Sequence, residues 1–162
     1  MRLRPPAEVR VRVPGERVLA WMPVGSSSLV ATESTLLLPS DGGVDVRVPW
    51  DRVLRASWEP AILEVTAQPE GGGRPVVHRI RFDGEPGVLP EVVRERVTAS
   101  IVVQHHAELV GDRGARFVAR RVPGSTDLRW SVVFDVGLDP ADPDLRRRAD
   151  ELLAEFRASL GV

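Results

Sequence analysis

Cysteine is missing from all 162 residues of this chain, and with it go disulfides, thiolate metal sites and cysteine nucleophiles. A chain of this length buries about two-thirds of its unfolded surface, so it folds without such cross-links, and their absence fits a reducing compartment. Lysine, asparagine and tyrosine are missing too. No lysine amine is on hand for a Schiff base and no phenol for proton transfer. The 22 basic residues are all arginine, they face 23 acidic ones, and the formal net charge is −1. A balanced chain has no global attraction to nucleic acid or anionic lipid, so no nucleic-acid partner is expected. No apolar run reaches the length of about eighteen residues that a spanning helix needs, which argues against an integral membrane protein. Behind Arg2 and Arg4 come Pro5-Pro6-Ala7-Glu8, with no apolar core of the kind a secretory signal carries. The expectation is a cytoplasmic protein.

What is present points to an α+β fold. Alanine, glycine, proline, valine and arginine dominate, the mark of a high-GC coding bias of the actinobacterial type, so the arginine excess is no sign of phosphate recognition. Short apolar segments parted by turn residues predict an antiparallel meander. Val9, Val11 and Val13 alternate with Arg10 and Arg12 as an edge strand would, behind a flexible Pro5-Pro6 arm. Strands are predicted over Arg17–Met22, stopped by Pro23, and over Leu29–Thr32 and Thr35–Leu38, turning at Glu33-Ser34. Others are predicted over Val44–Val48, Val53–Trp58, Ala61–Gln68 and Pro75–Phe82, the last two around a Gly71-Gly72-Gly73 tip. The period then changes. Leu89, Val92, Val93, Val97 and Ile101 fall at helical spacing and predict a helix from Pro90 to Val110, capped by Gly111. Arg116–Val122 and Leu128–Val136 follow as a hairpin. The last helix is the best marked, with Asp142 as its cap, Pro143 in its first turn, and a stripe of Leu145, Ala149, Leu152, Leu153, Phe156 and Leu160. The domain reading is an arm or edge strand over 1–14, a main domain over 15–111, and a β-β-α extension over 112–162 packed on it.

About seven strands followed by a long amphipathic helix is the layout of a pleckstrin-homology-like barrel. The first part of the chain resembles bacterial members of that fold in Gly15-Glu16-Arg17-Val18-Leu19-Ala20, in Leu29-Val30-Ala31-Thr32-Glu33 leading to Leu36-Leu37-Leu38, and in Val48-Pro49-Trp50 with Val53 and Ala56-Ser57-Trp58. The resemblance runs from Gly15 to Val110. It implies the fold, and it departs from the family where a lipid site would lie. Phosphoinositide-binding relatives carry Lys and Arg in the loop joining the first two strands, whereas Pro23–Ser28 is uncharged and Glu33 is acidic. Weak or absent phosphoinositide binding is therefore expected. Fold alone does not fix function.

Few residues suggest chemistry. On a helix, His105 and Glu108 would sit at i and i+3 and share a surface, while the His105-His106 pair would diverge by about 100°. Zinc needs three or four ligands at regular spacing, and His78 alone is left to complete such a set. Histidines at the negative end of a helix dipole are the plainer explanation. His78 alternates with Ile80 and Phe82, as a core histidine does. Asp135, Asp139, Asp142 and Asp144 lack the spacing of a calcium loop. Arg146-Arg147-Arg148 reads as a solvated face beside Glu151 and Glu155. Trp50, following Pro49, is the candidate for an exposed anchor. The reading is a protein-binding or scaffold module with no catalytic residues, cofactor or metal, whose interaction residues are Trp50, Arg10 and Arg12. A subsidiary polar site would use His78, His105 and Glu108. The alternatives are a small enzyme with a histidine–carboxylate site, and a peripheral membrane or lipid adaptor using Arg2, Arg4, Arg10 and Arg12. The protein partner is open, and self-association into a homo-oligomer is a further route.

Overall fold

The computed structural model describes residues 4–162. Among them the chain is α+β, with ten strands in three antiparallel sheets and three α-helices. It divides into two compact units. One runs to Ser100 and includes Val122–Thr126; the other is Ile101–Arg121 with Asp127–Val162.

The N-terminal unit begins with a short helix, α1 (Ala7–Arg10), where the sequence predicts an edge strand. Val9 and Val13 are a helical repeat apart as well as an even number of residues apart, so their spacing fits both periods. Both are buried, whereas Val11 between them is 73% exposed. The helix wins because it covers Val30 and Leu37, which with Val9 and Val13 form a small apolar cluster. These two belong to β2 (Ser27–Thr32) and β3 (Thr35–Leu38), the two central strands of a four-stranded antiparallel sheet. Their unbroken apolar runs, Leu29-Val30-Ala31 and Leu36-Leu37-Leu38, fit burial on both faces. β1 (Val18–Val24) passes through Pro23 rather than stopping there, as a strand at a sheet edge can. β4 (Val46–Pro49) lies at the opposite edge and begins later than predicted, leaving Val44 76% exposed.

After a single 3₁₀ turn at Trp50–Arg52, β5 (Val53–Glu59), β6 (Ile62–Ala67) and β7 (Val76–Arg81) form a second antiparallel sheet. Helix α2 (Leu89–Ser100) follows and buries Leu89 and Val93. One core joins both sheets and this helix, built around residues such as Leu29, Leu36, Trp50, Leu63, Phe82 and Leu89.

The helix stops ten residues before the predicted end. Ile101–Val110 is a strand, β8, paired with β9 (Arg113–Arg121) across a turn at Gly111-Asp112. Two causes act together. The β-branched run Ile101-Val102-Val103 favours extended backbone. Gly111, at φ 60°, supplies the first position of a tight hairpin rather than a helix cap. The C-terminal unit is therefore β-β-β-α, and the boundary falls at Ser100, not Gly111. β10 (Leu128–Phe134) completes its sheet in the order β10-β9-β8. Helix α3 (Pro143–Leu160) matches its sequence signals. Asp142 Oδ1 accepts the amides of Asp144 at 2.9 Å and Leu145 at 3.3 Å, and Gly161 closes the far end. Its apolar stripe covers the face of the sheet bearing Ala115, Phe117, Trp130 and Phe134. Leu160, predicted to belong to that stripe, is 45% exposed.

Candidate functional site

The motif residues of the N-terminal unit lock the fold. The Thr32 hydroxyl accepts the amides of Ser34 at 3.2 Å and Thr35 at 2.9 Å, which sets the β2–β3 turn. It donates to Glu16 Oε2 at 2.6 Å, and the Ser34 hydroxyl donates to the same oxygen at 2.9 Å. The other Glu16 oxygen takes the Arg47 guanidinium. The Trp50 indole N–H donates to the Thr32 carbonyl at 3.0 Å. Trp50 is 2% exposed, so it is a core side chain and not a surface anchor. A tryptophan after a proline at a strand end does not tell which way its ring turns; the buried acceptor beneath it decides. Arg12 is likewise engaged, its Nε donating to Asp45 Oδ2 at 2.8 Å and its Nη1 to the Ser28 carbonyl at 2.8 Å. Arg10 and Arg4 are exposed, and Arg2 lies outside the described residues.

Burial pushes the Glu16 carboxyl up, but the hydrogen bonds from Thr32, Ser34 and Arg47, together with the Arg47 charge, outweigh it and hold the group below its usual range. A carboxyl depressed in the folded state adds stability above its unfolded pKa, and that stability is lost as the pH falls through the folded value. Thermal unfolding followed from neutral to acid pH should show a falling midpoint. Glu16→Gln should flatten that fall and lower the midpoint at neutral pH; an unchanged profile would contradict this role for Glu16.

The histidine cluster does not assemble. Being on a strand, His105 and Glu108 do not meet at helical spacing. The His105 ring stacks on Phe156 of α3, with centroids 4.8 Å apart. Glu108 lies opposite Gly114 and is exposed. His78 belongs to the other unit. The histidine that does meet a carboxylate is His106, whose Nε2 lies 2.8 Å from Asp135 Oδ2. That oxygen also accepts the Gly114 amide at 2.7 Å, and the Asp135 amide donates back to the Gly114 carbonyl at 2.9 Å. The Gly114 amide, then His106 and the charge of Arg116, hold the Asp135 carboxyl low. Gly114 is required there, since a Cβ would sit 1.7 Å from the Ala107 carbonyl oxygen. A lone glycine inside a strand is the sequence sign of such a close approach. The arrangement pins the end of the β9–β10 ladder. Arg146, Arg147 and Arg148 of α3 meet Asp144, Asp150, Glu151 and the Leu109 carbonyl. Among the described residues no group of three metal-ligating side chains comes together, and no helix is long and apolar enough to cross a membrane.

A further feature is a cleft of about 210 Å³ in the N-terminal unit. Its walls come from β4 (Val46, Val48), the turn after it (Arg52), the end of β6 (Ala67) with Gln68 beyond it, and β7 (Val76, His78). Burial holds the His78 imidazole below its usual range. Arg47 and Arg52 are among the lining residues, the Arg47 guanidinium being held by Glu16, and no carboxylate lines the space.

Two strand edges flank this cleft, and they differ. Trp50 N–H bonds to the Ser34 carbonyl, so along β4 the outward-facing groups belong to Arg47 and Pro49. Pro49 has no N–H, and the Arg47 carbonyl receives Arg52 Nη2 at 3.4 Å, which blunts that edge. On β7, Phe82 N–H bonds to the Ala61 carbonyl at 3.0 Å. By alternation, Val76, His78 and Ile80 bond inward to β6, while the main-chain groups of Val77, Arg79 and Arg81 face outward. No strand among the described residues pairs with them. Val76, which lines the cleft, is 46% exposed, and Val77 next to it is 50% exposed. None of this edge is visible in the sequence beyond the presence of a strand. No protein-family model, no curated protein and no solved structure matches this chain.

Proposed function

We propose that the N-terminal unit is a pleckstrin-homology-like protein-binding module that takes an extended segment of a partner onto the free edge of β7. The four-stranded sheet, the three-stranded sheet and the helix after them support the pleckstrin-homology-like reading. So does the structural role of the motif residues Thr32 and Trp50. The observation that carries the binding mode is the row of outward main-chain groups at Val77, Arg79 and Arg81 beside the cleft. Strand addition draws its affinity from such groups and its selectivity from pockets that receive alternate side chains. A lipid-headgroup function has less support. The β1–β2 turn, Gly25-Ser26, has no cation, and Arg12 is bound within the fold.

In the isolated protein, the amides of Val77, Arg79 and Arg81 should exchange with solvent much faster than those of Val76, His78 and Ile80. Val77→Pro removes one outward donor and no β6–β7 hydrogen bond, so the fold should survive and partner retention from native extract should fail. Protected odd-numbered amides, or a folded Val77→Pro variant that keeps its partners, would sink the proposal. A dimer of the wild-type chain that Val77→Pro dissociates would instead identify the partner as a second copy.

A further inference from the structure

The charges around the β7 edge limit what can lie on it. Arg79 is answered by Glu64 at 2.9 Å, and Arg47 by Glu16. Arg52 reaches only a carbonyl, and at a long 3.4 Å. Arg81 and Arg74 stand exposed at the two ends of the strand. The cleft presents Arg52 and His78 above apolar walls from Val46, Val48 and Val76, without a carboxylate of its own.

We infer that the segment added to β7 is acidic, an extended strand with carboxylates at alternate positions, one of them entering the cleft to meet Arg52 and His78. This rests on the strand-addition reading above. The carboxylate's aliphatic stem would pack on Val46 and Val48, and its head would gain a charge-assisted hydrogen bond from Arg52. A second copy of the chain fits less well, because its own β7 would bring Arg79 and Arg81 against the same cations.

The pairing also makes binding depend on pH. Burial in the cleft disfavours the imidazolium of His78, and an incoming carboxylate favours it. Binding then takes up a proton and tightens as the pH falls from about 8 to about 6. The charged group lining the cleft beside His78 is Arg52; the Arg47 guanidinium is held by Glu16, Gln68 is neutral, the β6 register partner of His78, Val65, is apolar, and Glu64 lies on the opposite face of β6.

The test uses the full chain and fluorescent seven-residue peptides alternating valine with glutamate, glutamine or arginine, followed by anisotropy. The glutamate peptide should bind about tenfold or more tightly than the glutamine peptide, the arginine peptide should not bind, and Arg52→Gln should cost about tenfold, the scale of one charge-assisted hydrogen bond. His78→Gln should keep binding near pH 8 and abolish the gain at lower pH. Equal binding of the glutamate and glutamine peptides, both lost in Val77→Pro, would overturn the acidic preference and leave strand addition standing. Glutamate-peptide binding that survives Val77→Pro would overturn strand addition itself. Failure of every peptide to bind would overturn both, as would capture of phosphatidylserine vesicles in their place with the same loss on Arg52→Gln.

Discussion

Trp50→Ala should destabilise the N-terminal unit by about 3–5 kcal/mol, the cost of removing a large buried aromatic and leaving a cavity. The ring is 2% exposed within the core that joins both sheets and α2. Its indole N–H also satisfies the carbonyl of Thr32, a residue with no exposure, at the turn where β2 becomes β3. Trp50→Phe separates the two contributions. It keeps most of the apolar volume and removes the donor, and should cost about 1–3 kcal/mol, the usual penalty for a buried acceptor left alone. Urea unfolding read by circular dichroism gives both numbers. A loss below about 1 kcal/mol for Trp50→Ala would show that the core closes without this residue.

Phe117→Ala should have a comparable effect on the C-terminal unit, again about 3–5 kcal/mol. Phe117 has no exposed surface and lies on the central strand, opposite His105 on one side and Val132 on the other, beneath α3. Phe156 on the helix stands edge-on to Trp130, with centroids 5.9 Å apart, but it is only half-buried. Phe156→Ala should therefore cost less, about 1.5–3 kcal/mol, in proportion to the area already in water. Hydrogen exchange resolved by segment is the measurement, because it assigns the loss to β8, β9, β10 and α3. If Phe156→Ala proved the costlier change, the helix and not the central strand would carry this core.

The sequence by itself determined the elements whose causes are local. The signals of α3, Asp142, Pro143 and Gly161, act within one turn of the helix ends, and the structure places each in its cap. The β2–β3 hairpin is equally local, since Thr32 bonds to amides two and three residues on. Tertiary structure decided the segments whose pattern fits two periods. Val9 and Val13 lie on one face of either a strand or a helix, and the apolar surface of Val30 and Leu37 selects the helix. Val93, Val97 and Ile101 continue a helical repeat, yet β9 offers residues 101–110 an antiparallel ladder, irregular only near its two ends, and the β-branched run accepts it. That choice dissolved the expected His105–Glu108 pair and made the unforeseen His106–Asp135 pair, because partners across a sheet are set by register, not by spacing along the chain. Trp50 turned inward for the same kind of reason, a carbonyl eighteen residues away. The cleft and the free edge of β7 are the most remote from sequence of all. An edge is defined by the strand that is not beside it, and which backbone groups face outward follows only from how β6 and β7 meet.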